Sequence, residues 1–382
     1  MARDRDRPAM PGRPPRLPDQ LVEDLVDAGS REHYADAALY DYEYRRRRAD
    51  VTFYRELARR RGADRILELG AGTGRITVPL ARDGRHVVAL DQSTAMLARL
   101  GERAARLPAA SAARITPVTG DLRTFSVGGR FPLVIAAFNV LEHLYTRGEL
   151  TACLERVAAH LAPGGAFAFD VQLPDLAWLL RDPGKRWAKT RFTDPSTGHA
   201  MYYSTNHDYD PVSQIVLIRL YYEPVPPSEP ADSGPRRRRD QVLPASDHPT
   251  RRPSLSGNQR AGRAVTDDAP YDEGHSTKLP PAAGGSRRGR PEPSAQRSAQ
   301  SPRRGPGGQG TLAPPVPATR IVKLSQRKFF PAELEALVAH AGFRVTERYG
   351  DFFFRPLDGT AESQVLVCEL APKRPRKRAA SR

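Results

Sequence analysis

Cysteine is nearly missing from this chain of 382 residues. Its two cysteines, Cys153 and Cys368, stand far apart with no histidine cluster beside either. That excludes a disulfide framework and leaves no set of ligands for zinc, so both are expected to be small core residues. Long apolar runs are missing too. No window approaches the roughly 18–20 residues a membrane helix needs, and the Arg- and Pro-rich start lacks the apolar stretch of a secretory signal. The expectation is a cytoplasmic protein without membrane insertion and without a metal.

Core-forming residues are scarce in one long stretch. Half of the 36 prolines fall within residues 224–318, among Gly, Ser, Arg and Gln. Such a composition cannot bury a core. Apolar runs resume at Thr319, so the chain reads as one folded domain, 33–223 with 319–371, interrupted by a disordered insertion at 224–318. Residues 1–32 read as a disordered basic tail and lead-in, and 372–382 as a basic C-terminal tail. Closing so long a loop costs only about 0.6 kcal/mol more per doubling of its length. The strands on either side, 214–223 and 319–329, then become hairpin partners. The formal charge of +16 sits almost wholly outside the folded part: residues 1–18, 224–318 and 372–382 together hold all but about one unit of it. Charge so placed implies solubility and loose attraction to polyanions, not specific nucleic-acid recognition.

What the chain does have is Arg65-Ile-Leu-Glu-Leu-Gly-Ala-Gly-Thr-Gly-Arg-Ile76. An apolar run that meets an acid and then three alternate glycines reads as a strand turning into a helix that begins near Arg75. Glycines at 70, 72 and 74 remove Cβ atoms from the path of a ligand, and a helix N-terminus favours an anionic group. The dinucleotide fingerprint places its third glycine one residue later, where this chain has Arg75, so a nicotinamide or flavin is disfavoured. A second strand ends at Asp91, which suits ribose hydroxyls or the N-terminus of the helix opening at Ser93. A third strand, 114–119, ends in Gly120-Asp121-Leu122. A fourth, 131–139, passes into Val140-Leu-Glu-His-Leu144, and Ala162-Pro-Gly-Gly165 separates a helix from a fifth strand, 166–170.

This series of motifs resembles the class I S-adenosylmethionine (SAM)-dependent methyltransferases. The resemblance implies an α/β fold: a Rossmann-like, doubly wound seven-stranded sheet, here with a small antiparallel β cap (about 186–223 and 319–329). It also implies SAM as cofactor. Glu68, Gly70, Ala71, Gly72, Thr73 and Gly74 then serve the methionyl end and Asp91 the ribose. Asp121 and the Leu122 backbone serve adenine, with Gln92, Met96 and Phe138 around the nucleoside. Met96 suits the helix core equally, and Gly120-Asp121 is also an ordinary turn.

The chain has Ala136-Ala-Phe-Asn139 where amino-methylating enzymes of nucleic acids or protein glutamine carry an (Asp/Asn/Ser)-Pro-Pro-aromatic tetrad. It also lacks the cysteine that pyrimidine C5 methylation needs there. A small-molecule acceptor with a nitrogen or oxygen remains. Phe138-Asn-Val-Leu-Glu-His-Leu144, Tyr349-Gly-Asp-Phe-Phe-Phe-Arg-Pro356 and the tyrosine-rich 33–44 look like the subgroup of aminosugar N,N-dimethyltransferases and glycine or sarcosine N-methyltransferases. His143 is then the general-base candidate or a pocket wall. Of Tyr40, Tyr42 and Tyr44, which cannot share one helix face, Tyr40 and Tyr44 are expected to reach ligand. Asp170 is expected to meet substrate, and Arg355 to pair an acceptor anion or lie on the surface. His207 and Asp208 read as solvent-facing strand positions. The other readings are an RNA-associated methyltransferase delivered by its basic tails, and a SAM-binding protein without turnover.

Overall fold

A computed structural model describes residues 19–226 and 318–372. Its first elements are helix α1 (Asp19–Arg31), a 3-10 turn (Glu32–Tyr34), α2 (Ala37–Tyr44) and α3 (Ala49–Arg60). There follow β1 (Arg65–Leu69), α4 (Thr77–Arg82), β2 (His86–Asp91), α5 (Thr94–Ala104), α6 (Ala109–Ala112) and β3 (Ile115–Thr119). Next come β4 (Phe131–Ala136), a second 3-10 turn (Val140–His143), α7 (Arg147–His160), β5 (Leu161–Gln172) and α8 (Leu176–Leu179). The remainder is β6 (Trp187–Thr193), β7 (Ala200–Asp210), β8 (Ile215–Pro224), β9 (Arg320–Arg327), α9 (Pro331–His340), β10 (Phe343–Tyr349) and β11 (Ser363–Leu370).

Seven strands form one sheet in the order β10-β11-β5-β4-β1-β2-β3. The five from β5 to β3 run parallel, and β11 and β10 join antiparallel. β1 and β4, read as near-continuous apolar runs, are buried on both faces as a central parallel pair requires. One face packs Leu67, Leu69, Val134 and Phe169 against α7 and α9. The other packs Ile66, Ile135 and Ala168 against Phe53, Tyr54 and Leu57 of α3. Each such side chain contributes about 1.5–3 kcal/mol by leaving water. The chain reverses its direction of winding between β1 and β4, and the crevice at their carboxyl ends is where such sheets take ligands.

The other four strands form an antiparallel sheet, β6-β7-β8-β9. β9 pairs with β8 along its whole length, from Ile215 with Arg327 to Tyr222 with Arg320. These two neighbours flank residues 227–317, so the expected insertion at 224–318 lies almost entirely outside the described residues, as do 1–18 and 373–382. All described residues belong to a single compact unit.

The lead-in differs from the expectation of disorder. Residues 19–31 are helical, and α1 lies on β9 at Gly29, where a Cβ would come within 2.6 Å of the Ser325 backbone nitrogen. Val22, Leu25, Val26 and Gly29 follow helical spacing, a pattern overshadowed by the Pro/Arg-rich residues before it. A smaller difference is at the glycine turn, where α4 begins at Thr77 rather than near Arg75.

Candidate active site

The three glycines after β1 do different work. All have positive φ, but a Cβ on Gly70 would lie 2.4 Å from Val140 Cγ2, and one on Gly74 would lie 2.2 Å from Leu100 Cδ1. Those two let the second 3-10 turn and α5 pack against the loop. Gly72, with φ +56°, has nothing within 4 Å of that position, so it alone of the three opens toward free space. This corrects the expectation that all three clear a path for ligand. Ala71 anchors the loop through its N–H to Leu90 O (3.0 Å). The buried Glu68 accepts from the Thr77 hydroxyl at 2.5 Å, and burial raises its pKa to about 7. Its bond is to the start of α4, so it shapes the turn from below.

At the end of β2, Asp91 accepts from Gly72 N–H (2.7 Å) and from Ser93 N–H (2.8 Å), one bond on each oxygen. Gln92 N–H also bonds this carboxylate, so of its about four lone-pair sites one is left for a hydroxyl. Ser93, not Asp91, caps α5, by accepting from Met96 N–H. Met96 is buried and Gln92 exposed. Asp121 lies after β3 with its carboxylate engaged by Arg123, which lowers its pKa, while Leu122 packs on the core.

Beyond β4 the backbone is strained. Phe138 and Asn139 are consecutive non-glycine residues at φ 67° and 61°, a conformation that persists only when surroundings hold it. Asp170 does so, accepting from Phe138 N–H (2.8 Å), Asn139 N–H (3.2 Å) and the Tyr54 hydroxyl (2.7 Å). It is buried, and burial raises its pKa to about 6. The expectation that Asp170 meets substrate is therefore corrected: it is buried and three donors of the protein itself already hold it, and β5 continues to Gln172. The Phe138 ring so presented lies 4.8 Å from the Tyr44 ring, with the Arg75 and Arg47 guanidinium groups 4.6 and 5.2 Å from its centre.

The strained turn leads to His143, which is half-buried. Its Nε2 lies 2.7 Å from the Tyr34 hydroxyl and its Nδ1 3.3 Å from the Tyr145 hydroxyl. Burial, and then the charge of Lys328, pull its pKa down to about 4, so at neutral pH the ring is an uncharged and weak base. The Tyr40 and Tyr44 rings of α2 pack 4.5 Å apart with their planes tilted by 55°, and Tyr44 bonds His33 Nε2 at 3.0 Å. Burial holds Tyr34 and Tyr44 well above the usual phenol pKa. Tyr42 turns instead to Phe192 of the antiparallel sheet.

Arg355 is exposed and bonds its neighbour Asp351, which is the surface position given as its alternative to pairing an acceptor anion. One further expectation is corrected. His207 is buried rather than solvent-facing: its ring stacks on Trp178 at 3.9 Å and its Nε2 bonds Trp178 O. Asp208 pairs with Arg219 across the strands.

Four residues here escaped sequence reasoning. Asp41 ties α2 across the glycine loop through the Thr73 hydroxyl (2.6 Å) and Arg99 (2.9 Å); the charged residue inside Tyr40-Asp41-Tyr42 was the signal. Tyr34 was visible only as part of a tyrosine-rich run. Glu43 is buried, accepts from the Tyr222 hydroxyl at 2.5 Å, and is raised to about pKa 7 by burial. Lys328 is almost fully buried, its ammonium donating to Glu142 (2.7 Å), Gln172 (2.9 Å) and Gln326 (3.0 Å). It joins the end of β9 to β5 and to the turn that carries His143. Beside this cluster a cleft of about 710 Å³ runs between α2, α5 and β9, reaching His33, Tyr40, Glu43 and Tyr222.

Residues 66–165 match the methyltransferase domain family. The chain is 36% identical over 156 residues to a dTDP-3-amino-3,6-dideoxy-alpha-D-glucopyranose N,N-dimethyltransferase of Streptomyces fradiae, covering 38% of this chain and 57% of that protein. It is 30% identical over 152 residues to a glycine/sarcosine N-methyltransferase of Halorhodospira halochloris, covering 40% and 54%. The chain thus spans a little over half the length of these relatives. Among solved structures, the CcbJ methyltransferase of Streptomyces caelestis superposes with TM-score 0.52 at 22% identity, over 85% of this chain and 94% of that one. A SAM-dependent methyltransferase of Clostridium acetobutylicum gives 0.53 at 13%, over 88% and 98%. At those identities the two structures speak to fold alone.

Proposed function

We propose that this chain, whose residues 66–165 belong to the methyltransferase domain family, is a SAM-dependent methyltransferase acting on a nitrogen or oxygen of a small molecule. The observation that carries the reading is the pairing at the ends of β1 and β2. Gly72 lacks a Cβ in front of open space, and the Asp91 carboxylate beside it keeps an acceptor site. That is room for an amino-acid tail beside an acceptor for ribose hydroxyls. Bound there, SAM supplies a methyl group already activated for in-line displacement.

The protein's share is to align and enclose. Gly72 and Thr73 flank the methionyl end, Asp91 takes the ribose hydroxyls, and Asp121, Leu122, Gln92 and Met96 border the base. Asp41 latches α2 over the loop, so Tyr40 and Tyr44 close the site from above. Phe138 is aimed by the strained turn that Asp170 holds. His143 and Tyr34 present uncharged polar groups on the side of the antiparallel sheet. A histidine whose pKa is near 4 does not strip a proton from an ammonium group, so the arrangement suits an amine that enters neutral, with His143 and Tyr34 orienting it. The dimethyltransferase and glycine/sarcosine relatives favour nitrogen as the methylated atom.

Calorimetry with SAM and its demethylated product tests the cofactor reading. Micromolar binding of both is expected. Asp91→Ala should weaken it at least tenfold while leaving a cooperative melt, since one lost hydrogen bond to a charged group contributes about 1.5–3 kcal/mol. Unchanged affinity in Asp91→Ala would remove the ribose assignment. A panel of small amines and hydroxy acids in a product-release assay then identifies the acceptor class.

A further inference from the structure

The polar contacts beyond His143 form a chain that runs in one direction only. Ser325 Oγ lies 2.8 Å from the backbone carbonyl of Val26 in α1. A carbonyl only accepts, so that contact takes the one proton Ser325 has. Ser325 Oγ also lies 2.7 Å from the Tyr145 hydroxyl. With the serine proton committed, the hydrogen between them must come from Tyr145. The Tyr145 oxygen is then an acceptor toward His143 Nδ1, 3.3 Å away, so Nδ1 carries the ring proton. Nε2 is left with a lone pair, and at 2.7 Å the Tyr34 hydroxyl donates to it. Every link follows from the first, and none can be reversed without setting two acceptors against each other.

We infer that Ser325 and Tyr145 are positioning residues that set the tautomer of His143, with the backbone of α1 as the fixed end of the relay. A helix outside the sheet thereby decides which imidazole nitrogen faces the site. The consequence reaches Tyr34. Having given its only proton to His143, it has lone pairs alone for a third group, so the pair receives an N–H or O–H and offers nothing to a carbonyl or carboxylate. This last step rests on the proposed reading of the site; the tautomer itself does not.

Histidine-selective ¹⁵N labelling tests the relay in the intact chain, in long-range ¹H–¹⁵N spectra without cofactor or acceptor. The His143 signals are those lost in His143→Gln. The expected wild-type pattern is a protonated Nδ1 and a pyridine-type Nε2. Ser325→Ala removes the nearer acceptor and leaves Tyr145 only the backbone carbonyl of residue 325, at 3.3 Å, so protonated Nε2 should appear beside protonated Nδ1, although Ser325 does not touch the ring. Tyr145→Phe, nearly isosteric, should lose the single tautomer and give a mixture. A protonated Nε2 in the wild type overturns the inference, as does an unchanged single pattern in either variant. These results are independent of SAM calorimetry: absence of SAM binding would defeat the functional reading and leave the tautomer standing.

Discussion

The loop end of the site and the side facing the antiparallel sheet are built on different principles. From Glu68 to Thr77, ten consecutive residues supply the turn, its three positive-φ positions and its buried carboxylate. The opposite side draws on Val26, Tyr34, Glu43, His143, Tyr145, Ser325 and Lys328, residues up to about 300 positions apart. The loop end is therefore a local backbone shape that sequence neighbours enforce. The other side is a network that exists only when the sheet, α1 and the 3-10 turn dock together. On the proposed reading the first would hold the methyl donor and the second the acceptor.

Removing Lys328 should break the network side hardest. Lys328→Met leaves Glu142 buried without its partner, a loss of about 3–5 kcal/mol. The double variant Lys328→Met/Glu142→Leu should recover most of it, because no charge is then stranded. Urea melts of the three proteins decide this, and full additivity of the two changes would mean the ion pair does not couple sheet to turn.

The loop side should respond to single residues, and unequally. Gly70→Ala drives a Cβ into Val140 on top of a left-handed backbone, together costing about 2–4 kcal/mol. Gly72→Ala carries only the backbone cost, about 1–2 kcal/mol, yet it fills the open space and should cost more SAM affinity than its stability loss suggests. Thermal melts beside calorimetry separate the two. Equal effects on stability and binding at both positions would erase the distinction between packing and ligand glycines.

The smallest effect sharpens the comparison through pH. Burial raises Glu43 on the network side to about 7. A carboxyl raised in the folded state stabilises while protonated, so its contribution is full below the unfolded value and fades as pH rises through about 7. Glu43→Gln should flatten that part of the melting profile between about pH 5 and 8. Glu68 on the loop side, raised likewise to about 7, retains a residual slope in the variant. A profile unchanged by Glu43→Gln would show that this carboxyl is already ionised.

Legibility followed the same division. β1, β2 and β5 were readable because each ends as a short apolar run closed by Gly or Asp, and the turn at Gly70 because its chemistry is contiguous. The pairing of β8 with β9 could be anticipated across residues 227–317 because apolar alternation stops and resumes in kind. Asp170 was seen at the end of a strand, but a sequence does not show that two strained amides and a tyrosine would hold it. His207 reads as solvent-facing for its polarity, yet it shares the face of Met201 and Tyr203, and Trp178 stacks on it. α1 was hidden because its helical spacing follows a disorder-like start.

By itself, then, the sequence determined the doubly wound sheet, the glycine turn and the acid that follows β2, because these depend on backbone geometry and burial patterns set by near neighbours. Only the tertiary structure decided which glycine opens on free space, which carboxylate holds strained backbone, and which polar groups stand around His143. Those depend on where hydrogen-bond donors and acceptors from distant segments meet, and a buried polar group answers to whatever partner the fold places within about 3 Å of it.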